Sequence, residues 1–156
     1  MKMNSRMSTL MQRLGVQWPL GADANAAEIP RLELVQDCVL LKDEFERNRH
    51  VKVSGLPDKT GFECFLNHVH FCFTGTRESF VSCLGYAAAL QEALMPLAQS
   101  RRFRVIVGIS EDDCSPSFNC TVRFHQIRPG EVWLSEDLEG YESEAILFFD
   151  VPSGAE

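Results

Sequence analysis

The stretch of sequence that decides the fold reads TRESFVSCLGYAAALQEALMPL and covers residues 76–97. Thr76 is a favourable residue to cap the N-terminus of a helix, and Glu78 suits the positive end of the helix dipole. Apolar residues then recur at helical spacing, at Phe80, Leu84, Ala87, Leu90, Leu94 and Leu97. Pro96 ends such a helix because it lacks a backbone donor. The pattern predicts one long helix over about residues 77–95, and its small Gly and Ala residues suit close packing on a sheet.

Strand-forming residues are concentrated on both sides of this helix. Phe62–Phe73 is rich in aromatic and β-favouring residues and is predicted as a strand, although a helix fits its first half as well. Three further strands are predicted at Phe103–Ile109, Phe118–Ile127 and Ala145–Val151. The last of these contains a continuous apolar run, Ala145–Phe149, which is typical of a strand covered on both faces or central in a sheet.

The first 50 residues predict helices. A short helix is predicted for residues 4–14 and a loop for Gly15–Ala27. A second helix is predicted from Pro30 to about residue 47, because apolar residues recur there at helical spacing. The order of elements predicts an α+β fold, with a mainly antiparallel sheet packed by the long helix and with N-terminal helices. The length fits a single domain over residues 1–156, with 1–29 partly loop or short helix and the core in 30–156.

Composition excludes several classes of protein. Hydrophobic residues make up 45% of the 156 residues and charged residues 24%, which are globular proportions. No uninterrupted apolar run approaches the roughly 18 residues of a membrane span, and no signal peptide is evident, so we expect a cytoplasmic protein with no membrane partner. The 6 cysteines lack the spacing of a disulfide framework and are predicted to be free thiols.

Negative charge is concentrated in the last third of the chain. Residues 1–110 carry 13 basic and 11 acidic residues, whereas residues 111–156 carry 2 basic and 11 acidic residues, and the net charge is −7. This balance argues against nucleic acid as a direct partner. Six acidic residues without a basic one lie at Glu131, Glu136, Asp137, Glu139, Glu142 and Glu144. They form either a solvated loop or a docking surface for a basic partner.

Metal and catalytic sites have little support in the sequence. On a strand, Cys64, His68, His70 and Cys72 would point the same way, but Cys64 and Cys72 would lie roughly 27 Å apart. His68 and His70 are therefore the weak metal candidates, and local packing of these side chains is the alternative. No nucleophile, phosphate-binding or zinc-protease motif occurs. We expect no enzymatic activity and no cofactor.

Three residues near the acidic run are candidates for an interface. Arg123 and His125 fall on the predicted outward face of the 118–127 strand. Either they pair with the acidic residues across the sheet, or they contact a partner. Trp133 suits a binding hot spot, although a Trp closing the edge of a core is an equal alternative.

The same region resembles a known class of proteins. The segments RFH at 123–125, RPGEVWL at 128–134 and EDLE at 136–139, followed by a closing strand at 145–150, are similar to the C-terminal parts of small bacterial immunity proteins. These are the antidotes of contact-dependent inhibition and other polymorphic toxin systems. The NHVH stretch at 67–70 has a similar character, and the resemblance covers about half of the chain.

The resemblance implies an interaction and no catalysis. An immunity protein binds a cognate toxin domain, often a nuclease, whose cleft is basic because it must attract phosphates. The residues expected to bind the toxin are then Arg123, His125, Trp133 and the six acidic residues from Glu131 to Glu144. The alternatives are an acidic homodimeric secretion chaperone and a small-molecule- or metal-binding α+β domain, and the oligomeric state stays open.

Overall fold

Five strands form the main sheet of the protein. The computed structural model describes residues 1–21, 27–110 and 120–152. The five strands are β1 (Lys2–Met3), β4 (His68–Phe71), β5 (Phe103–Ser110), β6 (Cys120–Gln126) and β7 (Glu144–Val151). Their order is β1-β7-β5-β6-β4, and every pairing is antiparallel. A separate antiparallel hairpin joins β2 (Leu32–Val35) and β3 (Cys38–Leu41). The predicted α+β class is confirmed.

Within the described residues, four α-helices accompany the sheet. They are α1 (Ser5–Leu14), α2 (Lys42–Arg47), α3 (Lys59–Leu66) and α4 (Arg77–Leu94). Helix α4 confirms the predicted long helix: the Thr76 side chain accepts a hydrogen bond from the Ser79 N–H, and Pro96 lies in a 3-10 turn at Met95–Gln99. Arg77–Gln99 is long and apolar enough to be a candidate membrane span, but core helices have the same composition and 44% of its apolar window is buried here.

Helices α1 and α4 cover one face of the sheet, which we call the first face. Phe103, Val105, Val107 and Ile109 of β5 are buried there, as the alternation predicts. Leu84 and Leu90 of α4 are fully buried in the same core. Met7, Leu10 and Met11 of α1 join them. The expected core boundary at residue 30 is therefore wrong, because α1 belongs to the core.

The opposite face of the sheet, the second face, is covered by the chain between β6 and β7. Ile106, Ile146 and Phe148 point toward this face and pack against Leu134 and Leu138. Strand β7 thus contributes buried side chains to both faces, as its apolar run Ala145–Phe149 predicts.

The predicted helix from Pro30 to residue 47 is wrong over most of its length. Residues 32–41 form the β2–β3 hairpin, and only Lys42–Arg47 is helical. The hairpin turns at Gln36 and Asp37, whose φ angles are 50° and 68°. A two-residue turn of this kind needs positive φ at both positions, and here it is made without glycine.

Two other expectations are partly corrected. The first half of Phe62–Phe73 is helical, in α3, and only His68–Phe71 is a strand. Asp58 caps α3 by accepting a hydrogen bond of 2.6 Å from the Gly61 N–H. Phe118 and Cys114 lie outside the described residues, and Cys38, Cys64, Cys83 and Cys120 are free thiols.

Candidate functional site

The acidic segment, residues 131–144, crosses the second face of the sheet. Leu134 and Leu138 are buried against that face, and the half-buried Tyr141 packs beside them. The polar residues between these apolar anchors therefore point away from the sheet. The segment has one 3-10 turn, at Leu138–Gly140, and is otherwise irregular.

Two of its carboxylates bind the starts of helices. Glu131 accepts a hydrogen bond of 2.8 Å from the Thr60 N–H, in the first turn of α3. Glu139 accepts hydrogen bonds from the N–H and hydroxyl of Ser5, at 2.8 and 2.7 Å, at the start of α1. Free N–H groups and the helix dipole both favour an anion at these positions. Burial opposes the ionisation of Glu131, but hydrogen bonding to Thr60 and the positive charges of Arg128 and Lys59 together outweigh it, so the pKa of Glu131 lies below its ordinary value.

A third carboxylate joins the segment to two strands. Glu136 forms ion pairs with Lys2 of β1 at 2.6 Å and with Arg104 of β5 at 2.8 Å. These hydrogen-bonded pairs lower the pKa of Glu136. Arg104 also binds Asp150 of β7, with 2.8 Å between Nε and Oδ1. Half of the six acidic residues thus fasten the segment to the rest of the protein.

The other three acidic residues face solvent. Asp137, Glu142 and Glu144 are exposed, and within the described ranges their carboxylates make no hydrogen bond or ion pair. Earlier in the same segment, Val132 is 77% exposed and Trp133 is 43% exposed. The free surface of the segment therefore combines an apolar and aromatic pair with three unpaired negative charges.

Arg123 and His125 differ in their accessibility. The Arg123 guanidinium lies over the Trp133 ring, 5.6 Å from its centroid, in a cation–π contact. His125 shares the face of Arg123, as the alternation predicts, but it is only 5% exposed. Burial lowers the pKa of His125, and its Nδ1 donates to the Gln126 carbonyl at 2.9 Å. The expectation that His125 contacts a partner is wrong because the side chain is not at the surface.

A cavity of about 360 Å³ opens beside Trp133 on the second face. Its floor includes Gly108 of β5, which has no side chain to fill the space. A Cβ atom at that position would lie 3.8 Å from Oε2 of Glu144, so the carboxylate lies above the glycine. The polar and aromatic residues around the cavity are Ser110, Thr121, Arg123, Trp133, Tyr141 and Glu144.

The histidine pair lies at the edge of the same face. His68 and His70 of β4 are opposite Arg123 and Thr121 of β6, and their ring centroids are 4.9 Å apart. His68 Nδ1 is hydrogen-bonded to the Phe65 carbonyl. Within residues 1–21, 27–110 and 120–152, no group of three His, Cys, Asp or Glu side chains could hold a metal ion.

One protein-family model matches nearly the full length of the chain. The model of the family described as "Uncharacterized protein PM0498 family" matches residues 2–154. The chain belongs to this family. Searches of curated proteins and of solved structures gave no match. The match extends from β1 to beyond β7, so the acidic segment and the strands that hold it belong to the same family unit.

In this member of the PM0498 family, a buried ion pair supports the root of the acidic segment. Glu63 of α3 is 0% exposed, and its two oxygens bind the Arg128 guanidinium at 2.8 and 2.9 Å. The same oxygens accept the N–H groups of Val39 and Gln126, at 2.9 and 2.7 Å. The pair therefore joins α3, the hairpin and β6, and Arg128 directly precedes the Pro129–Gly130 turn that leads into the segment.

The sequence analysis missed this ion pair, although one signal was available. Glu63 is the only charged residue in the stretch TGFECFLN, residues 60–67. A charge within an apolar helix indicates a buried partner, because burying an unpaired carboxylate is costly. Nothing local in the sequence identifies that partner as Arg128.

Proposed function

We propose that this protein is a cytoplasmic immunity protein that binds a cognate toxin domain through the free surface of the acidic segment. The observation that carries the proposal is the pair Val132–Trp133, which is exposed on a segment held by Glu131, Glu136 and Glu139. An exposed aromatic on a flexible loop would lose conformational entropy on binding. Here the segment is already ordered, so less of the binding free energy is lost.

The free charges indicate which partner the surface suits. Asp137, Glu142 and Glu144 are exposed on the same segment as the apolar pair. Unpaired charge of one sign attracts a partner of the opposite sign and speeds the encounter. A nuclease cleft is basic because it binds phosphates. An acidic surface with an aromatic anchor can therefore occupy such a cleft without any catalytic group.

The first experiment tests protection. The toxin candidate is the C-terminal domain of the reading frame directly upstream of this gene, expressed from an inducible promoter. We expect its expression to stop growth and co-expression of this protein to restore it. A toxin that kills equally well in the presence of the folded protein would refute the proposed function. Capture of an extended, unfolded segment by a dimer of this protein would instead support a chaperone.

A second experiment locates the interface by surface plasmon resonance with the same domain. Trp133→Ala is expected to raise the dissociation rate, because an aromatic hot spot contributes mainly to the lifetime of a complex. Glu142→Lys is expected to lower the association rate, and the effect should shrink at high salt. Glu92→Lys is the matched control, because it makes the same charge change at an exposed position of α4, which packs on the first face.

The choice of acidic residues matters for this test. Reversing Glu136 or Glu139 would break contacts that hold the segment, so a loss of binding would report a change in structure. Asp137 and Glu142 have no such contacts in the described part of the chain. Equal association rates for Glu142→Lys, Glu92→Lys and the wild type would move the interface away from the acidic segment.

A further inference from the structure

We propose that the cavity between Trp133 and Glu144 receives an arginine side chain of the toxin domain. This inference rests on the function proposed above and specifies what the surface recognises. The cavity has a volume of about 360 Å³, within the range of binding pockets. It lies directly beside the exposed Val132–Trp133 pair, so a partner docked on that pair covers its opening.

The floor of the cavity suits the aliphatic part of an arginine. Gly108 leaves the sheet open at this point, and its cross-strand neighbour Ile146 is apolar and buried. Ile106, two residues before Gly108, lines the same floor. Long cationic side chains commonly lay their methylene groups along apolar surface while the charged end reaches a polar partner.

Glu144 supplies the partner for the charged end. Its backbone is fixed, because its carbonyl accepts a hydrogen bond of 2.7 Å from Asn4 Nδ2 and its N–H donates to the Tyr141 carbonyl at 3.3 Å. Its carboxylate lies above Gly108 and has no ion pair with a described residue. A carboxylate in this position can accept two parallel N–H groups from a guanidinium, which a lysine ammonium cannot offer in the same geometry.

The aromatic lining also favours a guanidinium. The Trp133 ring already has one guanidinium beside it, that of Arg123. Arg123 also lines the cavity, but its guanidinium is held over the Trp133 ring. The Glu144 carboxylate lies above Gly108, two residues along β5 from Ile106, which is opposite Arg123. The guest guanidinium therefore pairs with the one carboxylate in the cavity lining, which has no ion pair with a described residue.

The test uses a small probe and the isolated protein. Nα-acetyl-arginine N-methylamide is titrated into the ¹⁵N-labelled protein, and the amide signals of Gly108 and its neighbours are followed by NMR. We expect saturable shifts at the cavity. The citrulline analogue has the same shape without the charge and is expected to cause no saturable shift. The lysine analogue is expected to bind more weakly. Equal binding of all three probes would overturn the inference.

Variants of the protein locate the binding. Glu144→Gln keeps the size of the side chain and is expected to weaken arginine binding about tenfold or more, the loss expected for charge-assisted hydrogen bonds. Glu92→Gln removes an exposed charge on α4, which packs on the first face, and is expected to change the affinity by less than about twofold. Gly108→Ala adds a methyl group at ordinary contact distance, which leaves the fold intact and obstructs the floor. Equal losses for Glu92→Gln and Glu144→Gln would show only general attraction of cations, which overturns the inference.

The two proposals fail in different ways. If the toxin domain binds the wild type and Glu144→Gln with equal affinity, the arginine pocket is refuted while the immunity function stands. If the arginine probe binds the cavity but the protein gives no protection, the pocket stands and the immunity function is refuted.

Discussion

Glu63→Gln is expected to destabilise the protein by about 3–5 kcal/mol, although the two side chains have nearly the same shape. Each oxygen of Glu63 accepts two hydrogen bonds, one from a backbone N–H and one from Arg128. A glutamine has only one acceptor oxygen. Whichever way its amide turns, its NH2 group faces both a backbone N–H and a guanidinium N–H.

The magnitude follows from this arrangement. Two hydrogen bonds are lost, and hydrogen bonds to charged groups contribute about 1.5–3 kcal/mol each. The Arg128 side chain is only 10% exposed and keeps its charge without a full counter-charge. The lost hydrogen bonds and the uncompensated charge of Arg128 are two descriptions of the same cost, so their free energies are not summed.

Urea unfolding followed by circular dichroism measures the effect. With a slope of about 2 kcal/mol per molar urea, the midpoint should fall by about 2 M. Asp43→Asn is the control, because its ion pair with Arg31 is exposed, with side-chain accessibilities of 68% for Arg31 and 55% for Asp43. That variant should lose less than about 1 kcal/mol. If Glu63→Gln lost no more than Asp43→Asn, the buried ion pair would not have the structural role described here.

Three further predictions concern the core, the acidic segment and the thiols. Leu84→Ala should cost about 2–5 kcal/mol in the same urea assay, because Leu84 is fully buried under α4; a loss under about half a kcal/mol would mean that the helix does not cover the sheet there. The ion pairs of Glu136 lower its pKa from the ordinary value of 4.5, so they stabilise the fold above that pH. The stability advantage of the wild type over Glu136→Gln should therefore shrink as the pH falls below 4.5, and a gap that widens in acid would contradict the pairing. Cys72 is exposed and should react with Ellman's reagent in the native protein. Burial raises the pKa of Cys38 to about 11, so it should react only on unfolding, and equal rates for the two would contradict this burial.

The long helix was predictable because its signals are local. Thr76, Pro96 and the apolar spacing between them lie within one stretch of chain. The hairpin was not predictable in the same way. Its turn uses Gln36 and Asp37 without the glycine that usually marks such a turn. Its second strand is also held by side chains from α3 and the residue after it, including Glu63.

The candidate site was predictable only in outline. The sequence indicates an acidic stretch with a tryptophan, and the structure places both at the surface. Which acids are free depends on partners far away in the chain: Thr60 is 71 residues from Glu131, and Ser5 is 134 residues from Glu139. The alternation of residues along β6 places His125 on the same face as Arg123, as predicted. The burial of His125 depends instead on which residues pack over that end of β6.

The contacts that hold the acidic segment also constrain the order of folding. Lys2, Asn4 and Ser5 bind residues that are 134 to 142 positions later in the sequence. Closing such long loops costs conformational entropy, and folds with many distant contacts form slowly. Helix α4 needs only near neighbours and can form early. The last part of the molecule to become ordered should therefore be the surface that meets the partner, once the N-terminal residues have joined β7.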